Sequence, residues 1–232
     1  MAAGQHPGVG PRMRPALTVL QLDTHFPRVP GDVASADTYL AEVEFIRIPA
    51  ASVGRIVTGD PGSVNITPFE EAVRRARGDV ITTSCGFLAH WQTQLQAQTT
   101  RPVVASALMA LPGLACLGGA IAVLTFDANK LIAGHGDILR GHETQVFGLN
   151  ADMHLKQVIE LDACALDQRR AAEEIAALVK DHVAAKCQTL LLECTNLPPY
   201  KAAIRDMFTG QIVDILTEIE ALRPGTVRPV FL

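Results

Sequence analysis

The chain has 232 residues, with 20 Lys and Arg against 24 Asp and Glu, for a formal net charge of −4. The basic residues are scattered and leave no electrostatic footprint for nucleic acid. No apolar run is long enough to cross a bilayer, and the Gly/Pro-rich start lacks the apolar core of a secretory signal. With 48% hydrophobic and 19% charged residues, the chain reads as compact and globular, with a cytoplasmic location as the default.

In chain order, residues 1–15 read as a disordered leader. Short apolar runs then alternate with helical patterns. Leu17–Leu22, Val43–Ile48, Asp79–Thr83, Val103–Ser106, Ala120–Thr125, Gln145–Gly148, Thr189–Leu192 and Ile212–Ile215 read as strands. Most lack polar alternation, which marks strands buried on both faces, as in parallel sheets. Between them, Thr67-Pro68-Phe69-Glu70 reads as a capping box, with Gly78 stopping its helix. Phe87–Gln98 and Gln168–Lys186 carry helical spacing, and Asp127 can cap a helix running to about Ile132. The alternation predicts right-handed crossovers and a doubly wound α/β architecture.

The five cysteines are Cys85, Cys116, Cys164, Cys187 and Cys194. The odd count and irregular spacing match no zinc or disulfide framework, and free thiols fit a reducing compartment. A lone cysteine is more often structural than reactive. Cys116, in an apolar run, and Cys187, approaching a strand, take that reading, and Cys164 is placed at the surface. Cys85 and Cys194 differ because their settings match. Val80–Cys85 and Thr189–Cys194 are both apolar strands ending in a cysteine, 194 − 85 = 109 residues apart. Open α/β sheets bind ligands at the carboxyl ends of their strands, and a helix N-terminus there lowers a thiol pKa. Two such thiols on opposite faces of a substrate could remove and return a proton.

Other residues admit bland readings. His135, His142 and His154 lack metal-ligand spacing and read as surface. Trp91 reads as core packing. Gly118-Gly119 precedes a strand, so it is no phosphate loop. Arg28 and Asp32, in a Pro/Gly-rich loop, either bind a carboxylate or pair with each other. Tyr200 either closes a pocket with its hydroxyl or staples the following helix.

Three segments resemble the aspartate/glutamate racemase superfamily: Ser84-Cys85-Gly86-Phe87-Leu88-Ala89, the Pro102-Val103 strand with Ser106, and Leu192-Glu193-Cys194-Thr195-Asn196-Leu197-Pro198-Pro199-Tyr200. Asp23-Thr24-His25-Phe26-Pro27-Arg28 resembles one branch of it. The resemblance implies two pseudo-symmetric parallel-sheet (flavodoxin-like) lobes with the site in the cleft. Residues 16–112 with 211–232 form one lobe and 113–210 the other. It implies a homo-oligomer acting without pyridoxal phosphate, metal or nucleotide. Cys85 and Cys194 become base and acid at the carbon next to a carboxylate. Asp23, Thr24, Arg28, Ser84, Gly86, Phe87, Ser106, Thr125, Glu193, Thr195, Asn196 and Tyr200 become substrate contacts.

Gly86-Phe87 stands where the amino-acid racemases carry Asn-Thr after the first cysteine. Asn196 stands where glutamate racemases carry His. The Cys-Gly-Phe and Pro-Pro-Tyr forms look closer to uncharacterised branches of the superfamily and to its algal-type dimethylsulfoniopropionate lyases. The first expectation is a racemase or isomerase acting on a small carboxylate. The alternatives are a lyase releasing dimethyl sulfide and acrylate, or a carboxylate-binding protein without chemistry.

Overall fold

The computed structural model describes residues 14–142 and 145–232. Most of the leader expected over 1–15 lies outside them. The elements, in order, are β1 (Leu17–Leu22), β2 (Val43–Ile48), α1 (Val53–Ile56), α2 (Thr67–Arg75), β3 (Val80–Thr83), α3 (Gln92–Gln96), β4 (Val103–Val104), α4 (Leu111–Leu117) and β5 (Ala120–Thr125). They continue with α5 (Ala128–His135), β6 (Val146–Gly148), α6 (His154–Glu160), α7 (Gln168–His182), β7 (Cys187–Leu192), α8 (Lys201–Arg205), β8 (Gln211–Asp214) and α9 (Ile215–Leu222).

The strands form two four-stranded sheets, β2-β1-β3-β4 and β6-β5-β7-β8, and every pairing is parallel. The same order repeated twice makes β3 and β7 counterparts. The inner strands β1, β3, β5 and β7 are almost wholly buried, whereas edge strand β2 is mostly half-exposed. That contrast is what runs of Val, Ile and Leu without alternation predict for a covered parallel sheet.

The boundary drawn for residues 211–232 needs correction. β8 pairs with β7 and closes the second sheet. The chain then returns to the first lobe: Ile215, Leu216 and Ile219 of α9 pack with Leu17, Val19, Val80, Val104 and Val227. The short β8 could be assigned only by its partner, which its own residues do not encode.

Local capping also departs from expectation at one helix. α2 begins at Thr67 after a helical Ile66, so Thr67 cannot act as the N-cap. Asn65 accepts the Thr67 amide instead, at 3.2 Å, and Glu70 accepts from Gln94 on α3 at 2.7 Å. The reciprocal box forms instead at Asp214 and Thr217, opening α9. Asp127 caps α5 through the Lys130 amide as expected. Edge strand β4 is closed by side chains of α3. Gln92 bonds Val103 O and the Ala105 amide, and Gln96 accepts the Val103 amide.

α2 ends at Arg75, three residues before Gly78, so Gly78 is not its stop. A Cβ at Gly78 would lie 2.3 Å from the Thr18 backbone nitrogen. Its amide also donates to Thr18 Oγ1 at 2.8 Å. Glycine is needed there for close approach. Gly78→Ala is expected to destabilise the fold by about 1–3 kcal/mol through overpacking, read as a lower urea midpoint at unchanged m-value.

Candidate active site

β3 and β7 aim their carboxyl ends at the same space. Beyond each strand one residue keeps the ladder going: the Ser84 amide donates to Leu20 O and the Glu193 amide to Leu124 O. The next residue in each case is a cysteine. Cys85 and Cys194 are 7% and 6% exposed and line one narrow cleft with a cavity of about 20 Å³, room for about one water. Ser84, Gly86, Phe87, Glu193, Thr195, Asn196 and Arg28 line it too. The remaining wall is apolar: Leu22, Phe26, Val53, Val57, Phe126 and Ile159.

Contacts between the lobes set this geometry. Thr195 Oγ1 donates to Ser84 O at 2.8 Å, tying one cysteine loop to the other. Asp162, after α6, accepts the amides of His25 (2.6 Å) and Phe26 (3.0 Å), fixing the loop that carries Phe26 and Arg28. His135 is buried, not at the surface as its spacing suggested. Its Nε2 donates to Phe87 O at 2.9 Å, and its ring meets Phe87 edge-on.

Arg28 and Asp32 pair with each other at 3.3 Å, with side chains 10% and 3% exposed. Arg28 also donates to Thr24 Oγ1 at 2.9 Å and lies over the Phe26 ring. Asn196 Nδ2 donates to Asp32 at 2.5 Å, while its Oδ1 accepts from Cys194 Sγ at 3.7 Å. Asn196 therefore connects the Arg28–Asp32 pair to the second thiol.

Five expected contacts lie outside the lining. Asp23 faces away, accepting from Arg47 (2.5 Å) and the Ala50 amide (2.9 Å). Thr24 is buried and steadies Arg28. Ser106 caps the turn after β4 through the Leu108 amide. Thr125 donates to Glu193 Oε2 at 2.5 Å, so it reaches the cleft only through that carboxyl. Tyr200 is buried with an unpartnered hydroxyl. Burial, Asp32 and Cys194 push that hydroxyl upward in pKa. The apolar wall was missed: it comes from four separate segments, and nothing in the sequence brings them together.

The electrostatics reverse one expectation. The amides of Phe87 and Asn196 do favour the Cys85 and Cys194 thiolates, but burial and the Glu193 carboxylate outweigh them. Cys85 is pushed up to about 12, and Cys194 is raised as well, with Cys85 itself adding to the push. Arg28 partly offsets the effect at Cys85 alone. Glu193 is itself raised to about 7 by burial, with Thr125 pulling the other way. Helix amides lower a thiol pKa reliably only where water still reaches the sulfur.

Dimethylsulfoniopropionate lyase 5 of Emiliania huxleyi (strain CCMP1516) is 31% identical over 243 aligned residues, covering 95% of this chain and 47% of that protein. The chain thus spans about half the length of that relative. A dimethylsulfoniopropionate lyase of Durusdinium sp. clade D is 29% identical, covering 86% of this chain and 71% of that one. Among solved structures, allantoin racemase from Pseudomonas fluorescens aligns with a TM-score of 0.61 over 89% of this chain and 90% of its own, at 16% identity. Picrophilus torridus aspartate racemase aligns at 0.54 over 93% and 97%, at 13% identity. These two likenesses show a shared two-lobed fold. The family model for Asp/Glu/hydantoin racemases matches residues 55–219. The chain belongs to the Asp/Glu/hydantoin racemase family.

Proposed function

We propose that the protein removes the proton α to the carboxylate of a small sulfonio acid and eliminates dimethyl sulfide, leaving acrylate. The observation that carries this reading is the pair of thiols lining one small cleft whose remaining wall is largely aliphatic and phenyl. A dimethylsulfonium group has no N–H donors to satisfy, so an apolar wall with Phe26, Phe87 and Phe126 suits it. The relatives named as dimethylsulfoniopropionate lyases support the same choice.

Cys85 is the base in this reading, because Arg28 favours its thiolate. The thiolate takes the α proton, and the C–H electron pair becomes the carbon–carbon double bond. The C–S bond breaks with its electron pair leaving on neutral dimethyl sulfide. The Cys85 thiol then returns its proton to water. Cys194, held as a thiol donor to Asn196, needs no proton change. Racemisation of an amino acid, the second reading, uses the same base but requires Cys194 to deliver a proton to the opposite face.

One experiment separates the two. Dimethylsulfoniopropionate and a panel of amino acids are incubated with enzyme in heavy water, with headspace gas chromatography beside NMR. The expected result is dimethyl sulfide with acrylate. Deuterium at the α carbon of an amino acid, with no gas from any sulfonio acid, would establish racemisation instead.

The active form is the thiolate and the Cys85 thiol is raised, so activity rises as pH climbs toward about 12. kcat/KM is expected to increase about tenfold per pH unit between roughly pH 7 and 9. A plateau across that range would mean that the free thiol is not raised.

A further inference from the structure

Glu193 stands where its pseudo-symmetric counterpart is Ser84, yet it puts a carboxylate into the apolar cleft. It is 0% exposed. Oε2 is held by Thr125, while Oε1 is buried with no hydrogen-bond partner. Oε1 lies against Gly86, where an added Cβ would fall within 2.1 Å of it, so glycine leaves the space it occupies. Arg28, the cation of the lining among the described residues, turns its two terminal nitrogens to Asp32 and Thr24, and only its buried Nε has no partner. The other titratable groups nearby, Cys85, Cys194 and Tyr200, are neutral while protonated. A buried carboxylate with a free lone pair and no counter-ion is costly, and a cation entering the cleft offsets that cost.

We propose that Glu193 selects the substrate, accepting only small carboxylates that also carry an onium group, whose positive charge settles beside Glu193 Oε1. This rests on the elimination reading above and names what the site discriminates: charge on the leaving group rather than its shape. It also gives the carboxylate a second consequence. Glu193 disfavours both thiolates, so neutralising it with an onium group makes the base easier to form in the complex than in the free enzyme.

The test uses two unreacting probes of one shape, measured by calorimetry. One is β-alanine betaine. The other is its carbon isostere, in which tert-butyl replaces trimethylammonium. At pH about 8.5, where Glu193 is ionised, wild type is expected to bind the betaine at least about tenfold more tightly. The preference should fall to within about twofold at pH about 5.5, where Glu193 is protonated. Glu193→Gln should lose it at both pH values. The variant is run at both because His135, whose imidazole burial holds below its ordinary value, packs behind Phe87. Equal affinities in wild type at high pH, or a preference retained by Glu193→Gln, would overturn the proposal. If that variant fails to fold, the pH dependence of the wild-type ratio still decides. A betaine preference in a protein that releases no dimethyl sulfide would reject the elimination reading and leave this one standing. Failure to bind either probe would reject both.

Discussion

Cys85→Ser is expected to lower dimethyl sulfide release about a thousandfold or more, in the middle to upper part of the range for removing a general base. Serine keeps the shape of the side chain but replaces a thiol raised to about 12 with a hydroxyl far less acidic still. The same burial and the same Glu193 carboxylate that disfavour the thiolate act on the alkoxide. The smaller hydroxyl leaves the rest of the cleft in place, so the variant should bind the betaine as wild type does. Cys194→Ser separates the two chemistries. In elimination its hydroxyl can still donate to Asn196, and about a tenth or more of the rate should survive. In racemisation it ends turnover as completely as loss of Cys85. Initial rates from headspace gas, with circular dichroism as the fold control, decide the matter. Near-normal gas release from Cys85→Ser would remove that thiol from the chemistry.

The largest expected stability effect lies behind the second cysteine loop. Lys201 opens α8 and meets Asp214, at the end of β8, at 2.7 Å, with side chains 4% and 0% exposed. Asp214 also caps α9 by accepting the Leu216 (2.9 Å) and Thr217 (3.0 Å) amides. Removing one partner of a buried pair leaves an uncompensated charge and costs about 3–5 kcal/mol. Lys201→Met should therefore lower the melting temperature by on the order of 10 °C for a chain of this size. The double variant Lys201→Met/Asp214→Asn removes the stranded charge, while the asparagine oxygen keeps the cap. It should recover more than half of the loss. A double variant as unstable as the sum of the two single ones would show that the pair is not what holds α8 to β8.

The residues announced the sheets more clearly than the site. Uninterrupted Val, Ile and Leu runs gave away strands such as Ala120–Thr125, because burial on both faces leaves no room for polar alternation. Two such strands ending in cysteine pointed to the cleft for the same local reason. Contacts between distant segments were not legible. That β8 joins the second sheet depends on its pairing with β7. That Asp23 turns outward depends on Arg47 and Ala50, on another strand and its following turn. The direction of the thiol shifts was misread because strand-end position implies helix amides but not the depth of burial. Nor did it reveal that residue 193 would place a carboxylate beside both sulfurs. Asn196, which stands where glutamate racemases carry His, links Cys194 to Asp32 in the fold.

The claim beneath all of this is that Cys85 and Cys194 grip one small acid from two sides. Labelling with (2-bromoethyl)trimethylammonium, an alkylating agent that carries an onium group, tests it directly in a Cys116→Ser/Cys164→Ser background that removes the exposed thiols. Peptide mass spectrometry should find about one equivalent of label per chain, divided between Cys85 and Cys194 and almost never on both at once. β-Alanine betaine should slow the labelling. Full labelling of both thiols in the same chain, or of neither, would contradict a shared cleft.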